Sequence, residues 1–125
     1  MNQSPIFSKT YDFVAWLIPL TCKFPRQHRF VMAAALQHEA LRFQELLIEA
    51  THVASPKVSL RQADAELDKL RTHLRLCLDF KLVSPGQYEH AARMIHEGHK
   101  EHQENFAPFV FFVDHAVGAH AERAS

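Results

Sequence analysis

Apolar residues recur at helical rather than alternating spacing in four stretches of the chain. In the first, from about Ser8 to Phe24, Phe13, Trp16, Leu17 and Leu20 give one apolar face. Pro19 lies inside that pattern and is expected to kink the helix or end it early. The second and longest stretch runs from about Pro25 to His52. Leu36, Ala40, Phe43, Leu47 and Ala50 step by four, three, four and three, and Leu41 and Ile48 widen the stripe. In the third, Leu60, Ala63, Leu67, Leu70, Leu74 and Cys77 step by three, four, three, four and three. Ser59 and Gln62 have capping-box spacing for its start. The fourth opens on Ser84-Pro85-Gly86-Gln87, which supplies an N-cap serine, a proline at the first helical position and a glutamine three residues after the serine. Tyr88, Ala91, Ala92 and Ile95 follow as its apolar face, and beyond them the stripe turns polar at Gly98, His99 and His102.

Four helices with one apolar stripe each, joined by short loops, close most simply as an antiparallel up-down-up-down four-helix bundle. The expected fold class is therefore all-α. Residues 8–105 are expected to form the bundle domain, and 106–125 a C-terminal tail of uncertain structure. At 125 residues the chain is one domain's worth. It is long enough to bury about two-thirds of its unfolded surface without a metal or disulfide. An apolar share of 47% argues against disorder, and only three glycines argue against a sheet protein full of tight turns.

Charge narrows the functional classes less than it first promises. Fourteen Lys and Arg balance fourteen Asp and Glu, so there is no global basic signal for nucleic acid. Ten histidines make the charge sensitive to pH in the range where a free imidazole titrates, near about 6.5. The start of the chain lacks a charged region followed by an apolar run, and the apolar stretch 106–113 is too short to span a bilayer. A cytoplasmic location is the expectation, with Cys22 and Cys77 read as buried small residues rather than a disulfide.

The candidate chemistry is sparse. His96, His99 and His102 recur at three-residue spacing, so two could share a metal. The zinc-protease pattern fails, because Lys100 stands where its second histidine belongs, and only Glu49 with His52 has the di-iron spacing. The favoured reading is a solvated polar face, with no metal and no cofactor. No nucleophile elbow, paired Cys-x-x-Cys or glycine-rich phosphate loop is present, so an enzyme has no positive support. Cations are nevertheless locally concentrated. Lys23, Arg26, His28 and Arg29 cluster at the turn between the first two helices, and Arg61, Lys69, Arg71, Arg75 and Lys81 fall on the third. Such a display suits a phosphate backbone, since each neutralised phosphate releases a counterion. The competing reading is an ordinary charged surface paired with interspersed acids, including Arg61 with Asp64 and Asp68 with Arg71.

The order and spacing of several segments resemble the accessory variability determinant (Avd) family of diversity-generating retroelements. They are Tyr11-Asp12 with Trp16-Leu17 and Pro19; Lys23-Phe24-Pro25-Arg26 with His28-Arg29-Phe30; and Leu46 to Ala50. The likeness continues through Leu60-Arg61, Ala63-Asp64, Leu67, Leu70-Arg71 and Leu74-Arg75-Leu76, and ends near Leu82-Val83-Ser84 with Gln87-Tyr88-Glu89. It covers roughly residues 10 to 96. The resemblance implies a four-helix bundle assembling as a homopentameric barrel. It also implies a non-catalytic partner of a reverse transcriptase, whose basic surface meets RNA or DNA while template RNA is copied into mutagenised cDNA. By position, Arg26, His28 and Arg29 match the family's basic turn, and Arg61, Arg71 and Arg75 its third-helix arginines. A buried pair between Arg71 or Arg75 and a carboxylate on a neighbouring helix is the structural alternative. The chain departs from the family in being neutral and in carrying His96 to His102 where an apolar Gly- and Trp-containing stretch is usual. Similar bundles are encoded in intervening sequences of bacterial 23S ribosomal RNA genes. An interaction module of that kind is the second expectation, and a histidine-based metal bundle the third.

Overall fold

The computed structural model describes residues 5–105, with side chains as far as residue 97. The expectations for the Phe-rich tail and for the side chains of His99 and His102 lie outside these residues. Every element described is helical: α1 (Pro5–Cys22), a single turn α2 (Arg26–His28), a π-helical segment (Arg29–Ala33), α3 (Ala34–Ala50), α4 (Lys57–Asp79) and α5 (Pro85–Asn105). The turn, the π segment and α3 run on from one another as one long arm. Helix α1 packs on α3 and α5, and α4 packs on α3 and α5. Short connections make each arm antiparallel to the next, so the four arms close as a four-helix bundle.

The heptad-like stripe of α4 enters the core whole. Leu60, Ala63, Leu67, Leu70, Leu74 and Cys77 are all buried, as are Leu36, Ala40, Phe43, Leu47 and Ala50 of α3. Phe13 and Leu17 are buried from α1, Ala91 and Ile95 from α5. Several details differ from the sequence reading. Ala92 is exposed and Tyr88 half-buried, so the apolar face of α5 is narrow. Leu41 and Ile48 do not widen the core; they stay 41% and 45% exposed on the outer face of α3. Helix α1 does not end at Pro19. That proline is exposed, so the carbonyl it leaves without an amide donor lies on the solvent side, where water can satisfy it. Buried Thr10 and Thr21 turn their hydroxyls back onto the carbonyls of Ile6 and Leu17, and Gln37 Nε2 donates to Thr21 Oγ1 at 2.8 Å, tying α3 to α1.

The connections before and after α4, at opposite ends of the bundle, differ in how closely they follow capping rules. Helix α4 starts at Lys57 behind Pro56, whose carbonyl accepts from Leu60 N–H, so Ser59 lies within the helix and caps nothing. Helix α5 does open on a capping box. Gln87 N–H donates to Ser84 Oγ at 3.1 Å, and Ser84 N–H donates to Gln87 Oε1 at 2.9 Å. Between them, α4 ends in a Schellman motif. Leu82 N–H donates to Cys77 O at 2.8 Å and Lys81 N–H to Leu78 O at 3.0 Å. Lys81 therefore takes the left-handed conformation, φ 61°, at the position glycine usually fills. A lysine there strains against its own Cβ, and relieving that strain should outweigh the extra freedom glycine has when unfolded. Lys81→Gly should stabilise the bundle by roughly 0.5–1 kcal/mol, read as a rise in the denaturant midpoint at unchanged slope.

Candidate nucleic-acid interface

The chain returns to the same end of the bundle after α1 and after α4. There the His28 ring stacks on Phe80, with centroids 6.1 Å apart and planes 25° from parallel. This contact joins the basic turn to the Schellman turn. The first turn is fixed by buried Phe24 and by the Phe24 carbonyl, which accepts from Arg29 Nε at 2.9 Å. Arg29 thus holds the end of α1 while its guanidinium stays at the surface. Lys23 and Arg26 are exposed beside it. On the second turn Phe80 is 54% exposed and Lys81 is exposed. Among the described residues, no ion pair neutralises Lys23, Arg26, Arg29 or Lys81.

The third-helix arginines behave otherwise. Arg71 binds Asp68 at 3.1 Å and Arg75 Nε binds Asp79 at 3.3 Å, both along α4 and both exposed. Among the described residues the interhelical Arg–carboxylate pair considered from sequence does not form. Arg61 is exposed and lacks an ion pair among the described residues, but it lies ten residues, about 15 Å, from Arg71. Arg42 on α3 is also committed, to Glu49 at 3.2 Å and Glu45 at 3.5 Å, and the Glu49 hydrogen bond chiefly raises its pKa. Locally paired charges present little net field to a distant phosphate. The structure therefore brings Lys23, Arg26, His28 and Arg29 together at one end and leaves Arg71 and Arg75 neutralised along α4, with Arg61 apart from both.

Sequence reasoning missed two members of this end. By spacing Lys81 falls on the third helix, and Phe80 lies outside its apolar stripe. The signal for both was a large aromatic just off the apolar stripe, immediately ahead of a capping box. It also missed the interhelical pair that does form. His73 Nδ1 on α4 lies 2.8 and 2.6 Å from the two carboxylate oxygens of Glu39, which is buried on α3. Cys77 sits one turn on from His73, and burial first, then the negative charge of Glu39, pushes its thiol up to about 11. Cys22, expected to be buried, is exposed: it is the last residue of α1 and lies on the outer side, next to buried Thr21.

Among the described residues no group of three or more His, Cys, Asp or Glu is placed to hold a metal, and no helix is long and apolar enough to cross a membrane. Fold and site together define a four-helix bundle with a cationic end that no ion pair neutralises among the described residues. The chain belongs to the bAvd-like family, whose model matches residues 5–100. No curated protein matches it.

Proposed function

We propose that this protein is a non-catalytic accessory scaffold of a diversity-generating retroelement, an oligomer that binds a reverse transcriptase and nucleic acid while template RNA is copied. Membership of the bAvd-like family supports the retroelement reading. The observation that carries the nucleic-acid part is the set of cations without an ion pair among the described residues, Lys23, Arg26, Arg29 and Lys81, gathered at one end. A formally neutral chain can still bind a polyanion if its acids are spent on other cations, and that is how Asp68, Asp79, Glu45 and Glu49 are used. Repeating the end several-fold in an assembly multiplies the effect through effective concentration. The outer face of α3 supports self-association, up to the five copies the family resemblance implies. Val31, just ahead of α3, and Ala34, Leu41 and Ile48 on it recur at steps of three, seven and seven residues, all exposed, beside Phe30 at 85%. A seam of that period fits another helix better than water.

The test is binding of the purified protein to a structured RNA across a salt series, with the mass of the same sample taken by light scattering. The expected result is an oligomer whose affinity falls steeply and log-linearly with salt. Arg26→Glu with Lys23→Glu should flatten that slope more than Arg71→Glu with Arg75→Glu does. A monomer with no affinity at low salt would instead leave an interaction module working through protein contacts, as in the ribosomal intervening-sequence type.

A further inference from the structure

We propose that the turn end selects single-stranded nucleic acid, with an unpaired base stacking on Phe80 and its flanking phosphates held by Lys81 and by the cations of the His28 turn. This inference rests on the nucleic-acid reading above and adds the strandedness of the ligand. Phe80 is a large aromatic, half exposed, in a position where exposure gains the fold nothing. One side of its ring is backed by the His28 imidazole. An aromatic pair with an accessible face, bordered by uncompensated cations, is the arrangement that accepts bases of a single strand. A duplex cannot use it, because its base faces are already covered by their neighbours in the stack, whereas cations alone serve a duplex equally well.

The site is also fixed before any ligand arrives. The Schellman motif sets the backbone of Phe80 and Lys81, the capping box locks the chain four residues later, and buried Val83 pins the segment between them. On the other turn, Arg29 Nε is held by the Phe24 carbonyl. Little loop ordering then remains to oppose binding. The adjoining carboxylate, Asp79, is engaged by Arg75, so it does not repel a phosphate with its full charge. The repeated end of an oligomer would present several such platforms to one strand.

The experiment is titration of the full-length protein with a fluorescent 12-nucleotide RNA and with the duplex of the same sequence, in wild type, Phe80→Ala, Phe80→Trp and Lys81→Gly. Wild type should prefer the single strand. Phe80→Ala should weaken single-strand binding by roughly 5- to 100-fold and leave duplex binding unchanged, and Phe80→Trp should restore it. Lys81→Gly, which keeps the turn, should reduce the single-strand salt slope by about 0.7. Equal affinity for both ligands, with Phe80→Ala moving neither, would overturn the inference while leaving the accessory-scaffold reading in place. Failure of wild type to bind either RNA at low salt would overturn both. Tight capture of polyglutamate in the same assay, insensitive to Phe80→Ala, would show that the cations serve an acidic protein and would equally overturn the stacking site.

Discussion

Leu70→Asp will abolish cooperative folding. Leu70 is buried at the centre of the α4 stripe, 1% exposed. It borders a part-open cavity that Phe13 of α1, Phe43 of α3 and Ile95 of α5 also line, so all four arms converge around it. Removing it forfeits about 2–3 kcal/mol of apolar burial. The carboxyl that replaces it must then either ionise without a partner or stay protonated and unsatisfied, which costs several kcal/mol more. Lys9 borders the same space, but it is already engaged, and drawing it inward would strip it of water. The sum is comparable with the whole stability of a small domain, about 5–15 kcal/mol. Circular dichroism with a thermal scan should show no cooperative transition. Leu76→Asp, at an exposed position on the same helix, should melt close to the wild type. A cooperative transition in Leu70→Asp would mean that the core does not converge there.

The contrast between Leu70 and Leu41 shows how much the chain discloses in one dimension. Both lie in three-four patterns, and periodicity places each on an apolar face of a helix. For α4 the opposite side is filled with charge, so the face that enters the core is unambiguous. For α3 two apolar seams coexist, and only packing decides that Leu36, Phe43 and Leu47 go in while Leu41 and Ile48 stay out. The π segment contributes to this outcome. Its wider turn rotates the arm so that Met32 and Ala33 reach the core while Phe30 and Val31 face outward, a shift no local pattern announces.

The candidate interface was half legible for a similar reason. Lys23, Arg26, His28 and Arg29 are neighbours in sequence, and a basic cluster at a turn is visible by inspection. Phe80 and Lys81 join them only because the bundle returns to the same end some fifty residues later, which the His28–Phe80 stack records. Arg71 and Arg75 looked like a phosphate-binding pair because they are one turn apart. Their acids, Asp68 and Asp79, are also one turn away, and spacing alone cannot say which partner a guanidinium takes. The Ser84 capping box was legible down to both hydrogen bonds, whereas the Ser59 pattern failed because Pro56 starts the helix first.

His73→Leu will destabilise the bundle by about 2–3 kcal/mol, and adding Glu39→Leu will recover most of that loss. These residues are thirty-four positions apart and form an interhelical hydrogen-bonded pair at the α3–α4 interface. A carboxylate oxygen accepts hydrogen bonds, and the Nδ1–H tautomer of His73 supplies the donor that the two Glu39 oxygens face. Glu39 is buried, and the sulfur of Cys77 nearby offers it no compensation, since the carboxylate charge itself helps hold that thiol protonated. Removing the imidazole leaves a buried anion alone. Removing both groups leaves two leucines against an apolar interface, which closes with little residual penalty. The figure is set below the full cost of breaking a buried pair because the His73 side chain is 32% exposed, and water can reach the vacated side of the carboxylate. The four proteins of the cycle, compared by urea unfolding at neutral pH, should give single-mutant losses that exceed the double-mutant loss by more than about 1 kcal/mol. Additive losses would assign Glu39 and His73 independent roles, and the interface would then depend on its leucines alone.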